Sequence, residues 1–393
     1  MKIGIYQSYW GRVGGGQRYI GVVADVLARD HNVEMVHHDP DFDPAQVQEP
    51  MQLDLSRVVF RYVPRQERPA WPSRNPFRRL GDEREWCREL SSPYDLFIDN
   101  SDVPPFFCHA PRGVLFVHFP GVTFEAYHGH TSEEWLTRSR WKRWLSGMYH
   151  RLEWRQRFGS YDLVFANSAY GKRWLRRLWG LKAGVVYPPL RDGFCPREKE
   201  NVILTIGAFH HFQHKKQGVL IECFRQLCDE GFSSWRYVLV GATGASAEDQ
   251  AYLQGLRRVA EGYPIDIRPD VSGAELKSLL ERSAMLWHSM GYGVDPDQEP
   301  GRFEHFGMVA TEAMAAGCVP VVFNGGGLPE IVTHGVDGLL WSTLDELQHS
   351  TRRLADDPTC RANLAAAAVR RAEYFSAGPF EERLLAALAA VLK

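Results

Sequence analysis

No cysteine pair in this sequence stands in a CxxC or zinc-finger spacing. Cys87, Cys108, Cys195, Cys223, Cys228, Cys318 and Cys360 are seven, an odd number scattered through 393 residues. That argues against a disulfide framework and for reduced thiols in a cytosolic protein. No run of about 18 apolar residues occurs, so no spanning helix is expected. The opening MKIGIYQSYWGR has too short an apolar run for a signal peptide. The expectation is a cytoplasmic protein, soluble or held peripherally at the inner face of a membrane. Charge of one sign is not in excess either. The net charge is −2, so the whole molecule is not a polyanion binder, and no nucleic-acid module is recognisable. No internal repeat is visible. With 44% hydrophobic and 24% charged residues, neither disorder nor a fibrous repeat fits.

The balance hides a local asymmetry. Arg138 to Lys182 holds twelve Lys or Arg against Glu153 and Asp162, and six of the twelve Trp fall between Trp135 and Trp179. Trp141, Trp144, Leu145, Met148 and Leu152 recur at helical spacing, with Arg138, Lys142, Arg143, Arg151 and Arg155 around them. A second stretch, Lys172–Trp179, sets Trp174, Leu175 and Leu178 among four basic residues. Three readings stay open, one of them that this charge holds an anionic acceptor such as a lipid diphosphate. Both stripes can pack against a sheet while the arginines stay in water. Alternatively, residues 138–182 meet an anionic membrane surface, as basic amphipathic helices with Trp do.

The rest of the chain reads as two α/β halves. Lys2–Tyr6 is a short buried strand, Gly14–Gly16 a glycine loop, and Gln17–Arg29 a helix whose Ile20, Val23 and Leu27 share a face. Further strands fall at Val33–Val36, Val58–Tyr62, Leu96–Asn100, Gly113–His118 and Leu163–Asn167. Pro64–Pro76, with four prolines, reads as an exposed loop, and Val185–Leu190 as a proline-stiffened linker. The pattern then restarts. Strands are expected at Val202–Gly207, Tyr237–Gly241, Met285–Ser289, Val319–Phe323 and Gly338–Trp341. Helices are expected at Gln217–Glu230, Ala247–Glu261 and Ser272–Arg282, the last with Ser272 and Glu275 as a capping box. The expected division is 1–190, 191–377, and a final helix, 378–393, returning to the first domain.

Arg302–Glu330 carries the most chemistry. Gly307–Ala316 should be helical, with Gly317 as its stop. Glu304 then sits just before the helix and Glu312 two turns inside. The unpaired N–H groups of residues 305–308 would suit a diphosphate, and the two carboxylates would suit sugar or ribose hydroxyls. From spacing alone, a surface helix with solvated glutamates explains the pattern equally well.

The segment EHFGMVATE, Glu304–Glu312, is also where the sequence resembles a known family. It matches the E-x7-E motif of the retaining glycosyltransferases of family 4, which have the two-domain GT-B fold. AAGCVPVVFNGGGLPEIV (Ala315–Val332), HKKQGVLIECF (His214–Phe224), VVYPPL (Val185–Leu190), VHFP (Val117–Pro120) and the N-terminal glycines follow the family's order. The resemblance implies two Rossmann-like doubly wound domains facing across a cleft. The C-terminal one would bind a nucleotide sugar and the N-terminal one the acceptor. Glu304 would contact the donor sugar, Glu312 the ribose, and the backbone of His305, Phe306, Gly307 and Met308 the phosphates. Lys215, with Lys216 beside it and Gly207 at the preceding strand end, would neutralise the departing diphosphate. Gly15 and Gly16 would let the backbone approach the phosphate or sugar, and His118 would lie at the donor sugar or acceptor. One departure is visible: the family's usual Arg after the strand-ending glycine is Ala208 here, and His210, His211 or Lys216 would have to replace its charge.

The resemblance implies transfer of a hexose from a GDP- or UDP-sugar to an acceptor hydroxyl, with retention, in glycan, glycolipid or polysaccharide biosynthesis. The acceptor would be a glycan or lipid-linked. No metal and no cofactor beyond the nucleotide sugar is expected. Asp39–Asp43 and Asp295–Asp297 lie in polar, Pro-rich stretches and read as loops, and His210, His211 and His214 lack cysteine or carboxylate partners in the sequence. Three alternatives remain: a nucleotide-sugar epimerase, a synthase acting on a small acceptor, and a non-catalytic nucleotide-sugar sensor.

Overall fold

The structure is a computed structural model and describes residues 1–8, 10, 14–45, 48, 53–64, 76–128, 130, 136–137, 139–212 and 215–393, less 101–104. Arg138 and His214, and most of the proline-rich stretch after Pro64, lie outside the described residues. The chain divides into two compact units: Met1–Tyr187 with Glu381–Lys393, and Pro188–Phe380. The first break thus falls three residues earlier than expected and the second three residues later.

The first unit is built on a seven-stranded parallel sheet. Its strands are β1 (Lys2–Tyr6), β2 (Asn32–His37), β3 (Val58–Tyr62), β4 (Leu96–Asn100), β5 (Arg112–Val117), β6 (Leu163–Ala166) and β7 (Gly184–Val185). They run β3-β2-β1-β4-β5-β6-β7 across the sheet. The order reverses between β1 and β4, which pair in register from Ile3–Leu96 to Tyr6–Asp99. Every residue of β4 is buried, as expected of a strand covered on both faces. Gly184 and Val185 therefore belong to the sheet, through β6, where the prolines after them suggested only a linker. Pro76 opens a helix, Pro76–Ser91, rather than closing a loop. Residues 381–393 are tied to this unit by Arg29–Glu381 at 2.7 Å.

The Arg140–Phe158 helix divides the basic segment's aromatics in two. His150, Glu153, Trp154, Arg157 and Phe158 are buried. Arg157 donates to Glu153 and, from Nη1, to Glu83 at 2.9 Å. Glu153 also accepts from His128 Nε2 at 2.7 Å. Burial alone would raise the Glu153 carboxyl, but His128 and Arg157 outweigh it and hold it at about 2. The opposite face is different. Trp141 is 63% exposed and Trp144 66%, and Leu145, Met148 and Leu152 lie exposed beside them. The packing reading therefore fails for this stripe. It holds for the second stretch, where Trp174, Leu175 and Trp179 are buried and Trp179 Nε1 donates to the Val122 carbonyl.

The second unit repeats the plan with six parallel strands: β8 (Glu200–Ile206), β9 (Arg236–Gly241), β10 (Ile265–Pro269), β11 (Ser283–His288), β12 (Val319–Phe323) and β13 (Leu339–Trp341). Their order is β10-β9-β8-β11-β12-β13, so the reversal lies between β8 and β11. The sequence pattern does not show β10, whose IDIRP alternates charge with apolar residues on a half-buried edge. Trp287, Phe224, Tyr237 and Trp341 centre the core. Ser272 caps the Gly273–Arg282 helix through the Glu275 N–H, while the Glu275 carboxylate receives Arg268.

Candidate active site

Ligands of open parallel sheets bind beyond the carboxyl ends of the strands, where the strand order reverses. In the second unit that place is the end of β8 and β11. Gly207 follows β8, and His288 is the last residue of β11. The helix Met308–Ala315 follows Glu304 after a short turn. Three side chains meet there. Lys215 Nζ lies 2.7 Å from Glu304 Oε2, and His288 Nε2 lies 3.0 Å from the same oxygen. Burial alone would raise the Glu304 carboxyl, yet Lys215 and His288 keep it well below the usual range. His288 is pulled down, first by burial and then by the Lys215 charge, against the raising effect of Glu304.

Local backbone choices set this geometry. Lys216 is in the left-handed region, φ 54°, where non-glycine residues are uncommon. It turns the chain into the Gln217–Asp229 helix. The hydroxyl of Ser289 donates to the Lys215 carbonyl at 2.9 Å. The Lys215 stem crosses Gly207, where a Cβ would sit 3.1 Å from its Cγ. Lys216 itself makes no ion pair among the described residues.

Gly307 caps the Met308–Ala315 helix with φ 114°, a conformation closed to most other residues. Its carbonyl takes the Ala310 N–H, and the Gly327 N–H donates to the Glu304 carbonyl at 2.8 Å. The turn 304–307 is thereby fixed, and the first N–H groups of the helix end point away from its own hydrogen bonds. The Phe306 side chain is buried against Phe375, so only its backbone can serve a ligand; His305 Nε2 contacts the Gly301 carbonyl. Glu312 is buried inside the helix, with Arg191 Nε 3.4 Å from its Oε1.

The loop after Gly207 answers the absent arginine in an unexpected way. His210 and His211 do have a carboxylate partner, Asp249, at 3.1 and 2.9 Å. Any positive charge on them is offset locally. Burial works to raise the Asp249 carboxyl, and the hydrogen bonds from His211 and His210 lower it further than burial raises it. Asp295 accepts the Asp297 N–H and Asp43 the Ala45 N–H, as turn aspartates do. Among the described residues no group of three His, Cys, Asp or Glu could hold a metal ion.

In the first unit Gly15 begins the Gly15–Ala28 helix, with Gly14 as its cap. His118 follows β5, also at a carboxyl end. A Cβ on Gly16 would sit 3.1 Å from His118 Nε2, and the His118 ring lies edge-on to Tyr19. The glycine loop and His118 are therefore neighbours, which their 102-residue separation in sequence does not reveal.

The first unit matches a family model described as "Glycosyltransferase Family 4" over residues 13–190. A second, "Glycosyl transferases group 1", matches residues 190–371. The chain belongs to glycosyltransferase family 4. Among curated members, a GDP-Man:Man(3)GlcNAc(2)-PP-Dol alpha-1,2-mannosyltransferase of Dictyostelium discoideum is 29% identical over 211 residues, 48% of this chain and 39% of that one. A D-inositol 3-phosphate glycosyltransferase of Catenulispora acidiphila is 36% identical over 246 residues, 57% of this chain and 56% of that one. The matched region thus spans well under two thirds of these relatives. Solved structures show the fold. A sucrose-phosphate synthase from Thermosynechococcus elongatus has a TM-score of 0.70 at 16% identity, over 100% of this chain and 99% of the other. HepE of Anabaena, solved with UDP and glucose, has 0.65 at 16%, over 99% and 100%. The fold is GT-B, two Rossmann-like parallel-sheet domains.

His288 and Arg191 are the residues that the sequence does not single out. His288 carries the same signal as His118, a histidine at the carboxyl end of an apolar strand. Its partner, Glu304, becomes visible only on folding. Arg191 has no local signal beyond its place after the proline pair 188–189.

Proposed function

We propose that this family 4 member is a retaining glycosyltransferase that moves a hexose from a GDP- or UDP-sugar to an acceptor hydroxyl, in glycan, glycolipid or polysaccharide biosynthesis. The observation that carries the reading is the meeting of Lys215, Glu304 and the start of the Met308–Ala315 helix. An ammonium and a helix N-terminus suit a diphosphate, and a fixed carboxylate beside them suits the hydroxyls of the attached sugar. Donor choice follows the relatives, whose names include GDP-mannose and UDP.

The reaction breaks the bond from the anomeric carbon to the diphosphate oxygen and forms one to the acceptor oxygen on the same face. The acceptor's proton passes to the departing diphosphate, so no side-chain base is named. Lys215 stabilises the charge that develops on that leaving group, a role that needs no resident metal. Glu312 would hold the ribose, with Arg191 orienting its carboxylate; Gly15, Gly16 and His118 would meet the sugar or acceptor from their own unit.

Incubation with GDP-mannose and UDP-glucose, with and without EDTA, tests this. The expected result is release of GDP or UDP that survives the chelator, and a product whose anomeric proton keeps the donor's configuration. Inversion, or loss of activity with EDTA that added metal restores, overturns the mechanism. A new hexose from donor alone points to an epimerase. Turnover on soluble acceptors only points to a small-acceptor synthase, and tight binding with no turnover to a sensor.

The exposed face of the Arg140–Phe158 helix supports one further part of the reading, an anionic membrane surface as the place where a lipid-linked acceptor is met. Trp and Leu on one side, with Arg140, Lys142, Arg143, Arg151 and Arg155 beside them, combine apolar insertion with charge attraction. No helix among the described residues is long and apolar enough to cross a membrane. Binding to phosphatidylglycerol vesicles that is absent with phosphatidylcholine and falls with salt is the expected result.

A further inference from the structure

Glu304 is held through one oxygen only. Lys215 and His288 both point at Oε2, and Oε1 has no hydrogen-bond partner among the described residues. Lys215 cannot do two things at once. If its ammonium turns to a departing diphosphate, its hold on Glu304 weakens. His288 is the only other side chain on that oxygen among the described residues.

Its protonation state follows from geometry. A carboxylate oxygen 3.0 Å away requires Nε2 to donate. Nδ1 is buried without a hydrogen-bond partner. A proton there would be an unpaired buried donor, which is costly. The ring is therefore the neutral Nε2–H form. Glu304 and Lys215 are the charged groups facing it. A neutral donor leaves the Lys215–Glu304 pair balanced, whereas a second cation would not.

We propose that His288 is a positioning residue, a neutral Nε2–H donor that keeps the Glu304 carboxylate in place and aims Oε1 at the donor sugar while Lys215 follows the leaving diphosphate. This rests on the nucleotide-sugar reading. It adds a residue at the end of β11 that works through Glu304 without itself touching substrate.

The test joins a measurement on the unaltered protein to two variants. Nitrogen-15 histidine spectra of the wild-type chain should show, for the resonance lost in His288→Gln, an unprotonated δ1 and a protonated ε2 nitrogen between pH 6 and 8. The Glu304 carboxyl, followed by carbon-13 glutamate labelling and assigned with Glu304→Gln, should titrate higher in His288→Leu. In His288→Gln, which keeps an N–H near the same place, it should return most of the way. Turnover of GDP-mannose or UDP-glucose should fall about 10- to 100-fold in His288→Leu, by analogy with the loss when hydrogen-bond partners that orient metal ligands are removed. KM should stay within about twofold, as only the transition-state geometry is lost. His288→Gln should recover most of the rate.

An imidazolium or an Nδ1–H ring overturns the proposal even if His288→Leu does not fold. So does an unmoved Glu304 titration in a folded His288→Leu. Loss of turnover in Lys215→Met with normal turnover in His288→Leu overturns it while leaving the enzyme reading intact. A shifted Glu304 titration in a protein that transfers from neither donor overturns the enzyme reading alone.

Discussion

Three tryptophans on one helix provide a direct test of what its two faces do. Trp154 is 7% exposed, with its ring centroid 4.9 Å from Phe158 and 5.3 Å from Phe124. Trp154→Ala removes a fully packed side chain and should cost about 3–5 kcal/mol. The first unit has close to 200 residues, and a domain of that size loses about 2–4 °C per kcal/mol. Its melting temperature should therefore fall by roughly 6–20 °C. Trp141 and Trp144, by contrast, are about two-thirds exposed. Each truncation to Ala should change stability by no more than about 0.5 kcal/mol, or roughly 2 °C. On an anionic vesicle the order should invert. A tryptophan carries about 150–250 Å², so burying the exposed two-thirds contributes roughly 2–4 kcal/mol per ring at about 25 cal/mol/Å². The Trp141→Ala, Trp144→Ala pair should lower partition into phosphatidylglycerol vesicles by more than about a hundredfold, while leaving the calorimetric transition in place. Scanning calorimetry and vesicle sedimentation on the same preparations decide it. If Trp141→Ala lowers the melting temperature as much as Trp154→Ala, the exposed face is wrong. If the wild-type chain does not bind the vesicles, the membrane reading is wrong although the packing is right.

Lys215→Met should lower the transfer rate by on the order of 10²–10³ with the fold intact, as loss of one preorganised electrostatic donor does; near-wild-type single-turnover rates would count against it. Glu304→Gln should depress kcat far more than it raises KM, because its contact sharpens as the sugar gains positive charge, whereas Glu312→Ala should chiefly weaken nucleotide binding measured by calorimetry. Equal effects of the two in both assays would refute separate roles. Glu153 gives a pH prediction. Its carboxyl sits at about 2 in the folded chain, against an unfolded value near 4.5, so its stabilisation is fully present above pH ~5 and fades as pH falls toward 2. Glu153→Gln should therefore be less stable at pH 7 by on the order of 3 kcal/mol, and denaturation curves at pH 3 should show that gap cut to roughly half or less, closing only as pH nears 2. A gap that stays constant with pH would show that the buried His128–Glu153–Arg157 network does not act through charge.

Most of the fold was already written in local pattern. Short Val, Leu and Ile runs separated by glycine and helical stretches specify buried parallel strands, because a strand covered on both faces must be apolar throughout. Leu96–Asn100 and Val319–Phe323 fall where that pattern puts them. Gly307 and the E-x7-E spacing likewise fix Glu304 before a helix and Glu312 within it, since helix geometry is local. Edge elements were less legible. β10 is half-buried, and β7 is two residues beside prolines, so neither has enough apolar signal to stand out. What only the tertiary structure decided are the meetings between distant segments. Lys215 and Glu304 are 89 residues apart and are joined because β8 and β11 are sheet neighbours. His288 reaches the same oxygen for that reason, Gly16 meets His118 because β1 and β5 both border β4, and His210 and His211 find Asp249. The choice between core and solvent for the tryptophan stripe was also not in the pattern. Helical spacing shows that Trp141, Trp144 and Leu145 share a face, but the face that packs is set by what lies opposite. Here Trp154 and Phe158 took that place.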